Sequence, residues 1–173
     1  MKRSTPRRSP VRRSSTPRSP SVATRIAKHP FFKGLAPAHV RAVIPCATLV
    51  TFSVGRYMFR EGQESNVFYA ICEGQVAVEV AVPGEGAIGI QILGPGEVLG
   101  WSWLVPPHKK RFDARALDEV VAVQFDARCL RTKCEQDPAL GYAFLQRTVR
   151  ILGQRLQASR FKLLDRYNIH RPH

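Results

Sequence analysis

Residues 75–93, QVAVEVAVPGEGAIGIQIL, constrain the fold more than any other stretch. Apolar side chains recur at every second position: Val76, Val78, Val80 and Val82, then Ile88, Ile90 and Ile92. A repeat of two is that of a strand, whose successive side chains point to opposite faces. Two such runs joined by PGEG predict an antiparallel hairpin with one buried side.

The same texture extends both ways. TLVTFSVGRYMFREG and NVFYAICEGQVAVEVAV are rich in β-branched and aromatic residues and are punctuated by glycine, and ARAL and VVAVQF supply a further strand pair. Short strands at this spacing predict a closed β-roll or barrel. Helical spacing flanks them. In RIAKHPFFKGLAPAHVRAVIPCA, Phe32, Leu35, Val40, Val43 and Ile44 share an inner face; Pro37 suits a first helical turn and Pro45 a stop. Pro138, with Asp137 as N-cap, opens a long helix to about Asp165, interrupted only by Gly141 and Gly153. On it Leu145, Val149, Leu152, Leu156 and Leu163 form a seam of coiled-coil type, expected to pack partly on the chain's own roll and partly on a second copy.

The formal net charge of +14 is unevenly spread: the first carboxylate is Glu61, and thirteen Lys or Arg precede it, seven within residues 1–22. That segment has almost no apolar residues, so it cannot offset its ordering entropy. Residues 1–24 are therefore expected to form a disordered basic tail, residues 25–165 the domain, and residues 166–173 a short second tail. Three uses of the first tail stay open: a solvated appendage, non-specific nucleic-acid contact by residues 2–18, or a transit peptide. Ser9, Thr16 and Ser19, each followed by proline, suit phosphorylation. No apolar run is long enough to span a membrane.

The four cysteines, Cys46, Cys72, Cys129 and Cys134, form no C-x-x-C pair, and His108 is the sole histidine between residues 40 and 169. No metal site or catalytic residue is expected, nor does a nucleophile-elbow or phosphate-loop pattern occur. Reduced thiols and a cytoplasmic location are the corresponding expectations.

The order of parts resembles the cyclic nucleotide-binding domain, in particular that of the catabolite-activator and Fnr group. FFKGL, VGRYMFREGQESNVFYAICEGQVAV, LGPGEVLG and DPALGYAFLQRTVRILGQRL carry the match, over roughly residues 30–165. Gly55, Gly62, Gly74, Gly96 and Gly100, with Tyr69, fall at the family's turn positions. The resemblance implies a mainly β fold, a double-stranded β-helix (a jelly-roll-like β-roll) with a short N-terminal and a long C-terminal helix. It also implies a phosphate-binding cassette at Gly96, Glu97, Val98, Leu99, Gly100, Trp101 and Ser102, taking a small anionic ligand, a cyclic mononucleotide such as cAMP or cGMP. In that cassette backbone amides meet the phosphate, as helix N-termini meet anions, and a nearby guanidinium pairs with it.

The cassette departs from the family pattern. Trp101 stands where a glutamate reads the ribose hydroxyl, and indole offers a single N–H. Lys110 or Arg111 aligns with the phosphate-pairing arginine, depending on a one-residue gap; Arg115 aligns better with the next strand. Each has a plainer reading: Lys109, Lys110 and Arg111 as a solvated loop, Arg115 as an ion pair with neighbouring Asp113, and Trp101 and Trp103 as apolar plugs between roll and helix. The functional expectation is a non-catalytic sensor that moves its long helix, with a Crp/Fnr-type regulator acting through partners or the basic tail as the alternative. Only RYNIHRPH follows Asp165, too short for the helix-turn-helix expected of such a regulator.

Overall fold

The computed structural model describes residues 20–166. Helix α1 (Val22–Lys28) is capped by the Ser21 hydroxyl, which accepts from the Thr24 amide at 3.2 Å. It thus begins inside the segment expected to lack structure. Burial of Ile26 explains the difference: one apolar anchor ties the helix to the core. A 3-10 turn (Pro30–Phe32) and α2 (Pro37–Val43) follow, the latter starting at Pro37 as the sequence predicts.

Eight antiparallel strands make two four-stranded sheets. The first is ordered β1 (Ala47–Phe52), β8 (Val120–Asp126), β3 (Val67–Glu73), β6 (Val98–Leu99). The second is ordered β2 (Tyr57–Phe59), β7 (Asp113–Ala116), β4 (Val76–Val82), β5 (Gly86–Leu93). The chain ends in α3 (Ala127–Gln136) and α4 (Pro138–Arg166). Asp137 caps α4, its Oδ1 accepting from the Ala139 and Leu140 amides at 3.1 and 3.2 Å. This is the mainly β roll with flanking helices that the sequence predicts.

In the first sheet β8 and β3 are packed on both faces, while the edge strand β1 is partly open. Along β3, Tyr69 and Ile71 point into the roll, while Phe68 and Ala70 point under the helices; along β8, Val120 and Ala122 divide from Val123 and Phe125 in the same way. A strand covered on both sides reads as a continuous apolar run, which is why NVFYAI and VVAVQF alternate poorly. On the helix side Phe31, Phe32, Phe68, Trp103, Phe125 and Phe144 form one aromatic cluster, with Trp103 and Phe144 ring centres 5.8 Å apart. His29 locks the entry to this cluster: Nε2 donates to the Ile71 carbonyl at 3.1 Å and Nδ1 accepts from the Phe31 amide at 3.2 Å. Those contacts require the neutral ring, and burial holds its pKa below the usual value.

Three expectations are corrected. The isoleucine row of β5 is not a buried side; Ile92 is 60% exposed. Register decides this, because Leu93 lies opposite Val76 and takes the inward parity, and a bulge follows between Val78 and Glu79. On α4 the inner face is Leu140, Phe144, Thr148 and Ile151, whereas Leu145, Val149, Leu156 and Leu163 are exposed. Finally, Cys46 and Cys129 are not free thiols but a disulfide, with Cα atoms 5.5 Å apart. Antiparallel pairing of β1 with β8 sets Ala47 beside Phe125 and so brings the two cysteines together. Cys72 and Cys134 remain free and half-buried, and burial raises the Cys134 thiol to about 11. No helix among the described residues is long and apolar enough to cross a membrane.

Candidate ligand cassette

The cassette begins where β5 ends. Gly96 takes a φ of 88°, and a Cβ there would press on the Pro30 ring at 3.1 Å. The Glu97 carboxylate turns back on this bend and accepts from the Gly94 amide at 2.8 Å. Val98 and Leu99 pair with Ala70 and Tyr69 of β3, Val98 on the helix side of the sheet and Leu99 inside the roll. Gly100 again needs a left-handed backbone, φ 88°. Its missing Cβ leaves space for an ammonium: a Cβ would lie 2.8 Å from Lys110 Nζ and 3.0 Å from the Val67 carbonyl oxygen.

A 3-10 turn (Trp101–Leu104) follows. Among the described residues the Trp101 and Ser102 amides donate to no acceptor. Ser102 is buried and its Oγ has no partner. Trp103 is the apolar plug foreseen, fully buried between Phe68 and Phe144, whereas Trp101 is half-buried and outside that cluster.

The return segment is clamped by the loop after β2. Ser65 N donates to the His108 carbonyl at 2.7 Å, Lys110 N to Gln63 O at 2.8 Å, and Gly62 N to Lys110 O at 2.9 Å. This pairing sends the two neighbouring cations to opposite sides. Lys110 points inward and is 2% exposed, while Arg111 points out to solvent. Lys110 Nζ donates to Val67 O at 2.7 Å and sits 4.2 Å from the centre of the Phe59 ring. Burial pushes its pKa down to about 7, because nothing facing it carries a full negative charge. An ammonium has three donors, so two remain for another acceptor. Lys109 pairs instead with Glu64.

Arg115 and Asp113 do not pair with each other. Strand register places Asp113 directly opposite Glu79 and Arg115 on the diagonal. Arg115 closes on the buried Glu79 carboxylate, with Nε 3.1 Å from both oxygens. Asp113 takes Arg60 Nη1 at 2.8 Å and the Glu61 amide at 2.7 Å. Two facing carboxylates are each neutralised by an arginine, and Arg60 also lies 3.3 Å over the Tyr57 ring. Arg115 is thus committed to the second sheet. Its partner had a sequence signal: Glu79 is the one charge in a valine run. The burial of Lys110 had none, since it depends on a carbonyl forty-three residues away.

This roll, with a glycine-bounded turn and a buried cation at its inner wall, is the architecture of a cyclic nucleotide-binding domain. The sequence profile of that family, the Cyclic nucleotide-binding domain, matches residues 49–137, and the chain belongs to it. A CRP-like cAMP-activated global transcriptional regulator of Mycobacterium tuberculosis is 26% identical over 140 residues, 81% of this chain; the match spans 61% of that relative's length. Among solved structures, a cyclic nucleotide-binding domain from Methylobacillus flagellatus superposes with a TM-score of 0.70 at 19% identity, covering 82% of this chain and 80% of that one. The Catabolite Activator Protein of Thermus thermophilus superposes with a TM-score of 0.62 at 21% identity, covering 78% and 61%. Such structural likeness carries the fold.

Proposed function

We propose that this domain is a non-catalytic regulatory module. Its cassette holds the phosphate of a cyclic mononucleotide, cAMP or cGMP, through Lys110 and the Trp101 and Ser102 amides, without reading the ribose. The observation that carries the reading is the buried Lys110 ammonium beside Gly100, with two unused donors, at a turn whose next two amides have no acceptor among the described residues. Phosphate would supply the missing counter-charge. Trp101 provides no carboxylate for the ribose hydroxyl, so affinity is weak and discrimination between the two nucleotides small. Gly96, Glu97, Val98 and Leu99 shape the turn; Arg111 and Arg115 are outside the contact set.

Calorimetric titration with cAMP and cGMP tests this. The expected result is saturable binding with uptake of a proton near pH 7, read from buffers of different ionisation enthalpy, because phosphate restores the Lys110 charge. Lys110→Met should abolish binding, and Trp101→Glu should tighten it about tenfold or more. No binding by either the unmodified chain or Trp101→Glu would refute the reading, as would unchanged binding in Lys110→Met.

A second component rests on α4. Its exposed row, Leu145, Val149, Leu156 and Leu163, suits a homodimer through residues 138–165. With the likeness to a cAMP-activated transcriptional regulator, this favours a Crp-like module acting through partners. Nucleic-acid contact by residues 2–18 belongs to the same reading and lies outside the described residues.

A further inference from the structure

A second basic site lies on the opposite face of the first sheet. Gly100, Lys110 and Phe59 belong to the interior of the roll, but Val98 faces the helices, and there a groove of about 680 Å³ opens between α4, the Pro30–Gly34 turn and the Gly96–Val98 bend. That volume suits a small molecule. Four cations line it, Lys33, Arg147, Arg150 and Arg155, against one carboxylate, Glu97.

Two of the cations are held in place, Arg147 by carbonyl oxygens alone and Arg155 by a carbonyl and a long ion pair with Glu97. Arg147 donates from Nε to the Phe31 carbonyl at 3.0 Å and from Nη2 to Lys33 O at 3.2 Å. Arg155 donates from Nη2 to Val98 O at 2.7 Å, stands 3.9 Å from Glu97, and keeps a buried Nε with no partner. Carbonyl oxygens orient a guanidinium but leave its net charge, and gathered like charges repel. Loss of water on burial lowers the Arg155 pKa, with Glu97 offsetting only part. Phe31 and Ile151 supply an apolar wall beside the charges.

We propose that this groove is a second anion site, on the other side of the Gly96–Val98 bend from Lys110, which takes a small phosphorylated molecule with an apolar or aromatic body. The phosphate sits among Lys33, Arg147 and Arg150, and the body lies against Phe31 and Ile151. Because the walls come from both α4 and the roll, an occupant favours the docked pose of the helix.

The test is calorimetric titration of the full chain with 5′-AMP and with inorganic pyrophosphate. Saturable binding of 5′-AMP at one per chain is expected, with pyrophosphate at least several-fold weaker for want of a body. Lys33→Gln and Arg150→Gln, both at exposed positions, should each weaken 5′-AMP about tenfold. Lys110→Met, which removes the cassette's cation, should still bind one 5′-AMP per chain in this groove, and Arg128→Gln, at an exposed position outside the groove lining, should leave the affinity within twofold. No saturable binding would overturn the proposal. So would loss in Lys110→Met, which assigns the ligand to the cassette, or equal loss in Arg128→Gln, which marks diffuse attraction to a basic chain. Failure here leaves the cassette reading intact, because that reading turns on Lys110 and cyclic nucleotides.

Discussion

The two sheets are built from similar strands but are covered differently. The first lies under α1, α3, α4 and the aromatic cluster, and its strands β8 and β3 are packed on both faces. The second has one packed face; its outer face carries the Arg60, Asp113, Glu79 and Arg115 network and the exposed Ile92 of β5. The contrast separates two kinds of stability. Apolar burial, which is insensitive to pH, dominates the first, with the buried neutral His29 as its titratable exception; paired charges lie on the second sheet and a buried lysine in the cassette.

The largest expected effect falls on the covered sheet. Phe144 is fully buried against Phe31, Phe68 and Trp103. Phe144→Ala should cost about 3–5 kcal/mol of unfolding free energy in urea, from lost transfer and a residual cavity. A cost below about 1 kcal/mol would mean that α4 does not hold this sheet. Next comes the Cys46–Cys129 disulfide, which pins α3 to the approach of β1 across a sequence separation of 83. Reduction should lower stability by about 2–4 kcal/mol. A Cys46→Ala, Cys129→Ala double variant should lose any response to reductant.

Lys110 sharpens the comparison through pH. Folding depresses its pKa from 10.5 to about 7. Between those values the unfolded chain binds more protons, so stability rises with pH across that window by up to about 1.4 kcal/mol per unit and levels off below about 7. Denaturant melts of Lys110→Met from pH 6 to 10 should lack this slope. His29 acts in the acid range with the same sign: its lowered pKa means stability is lost as pH falls below about 6.5. The smallest effect belongs to the open sheet. Ile92→Thr should change monomer stability by less than about 0.5 kcal/mol, since its side chain already meets water. A large loss would mean that this face is covered in solution.

Much of the fold is legible in local pattern. Strand period, glycine turns and the Pro138 start with its Asp137 cap are properties of short segments, and all reappear in the structure. Legibility of the cassette stops at Gly100. Its turn is written in glycines that must adopt positive φ, but which cation enters the roll is a matter of pairing between residues 108–113 and the loop after β2. The partner of Arg115 and the exposure of Ile92 failed for one reason, that each depends on register between strands.

By itself the sequence determined the element types, their order and the turn positions, because backbone propensity and side-chain period act over a few residues. Tertiary structure alone decided which face of each element met the core, that Cys46 would find Cys129, that Lys110 would lose its water, and that four cations would share a groove on α4. Those outcomes depend on burial and on Coulomb interactions between groups far apart in the chain, and these exist only once the strands have paired.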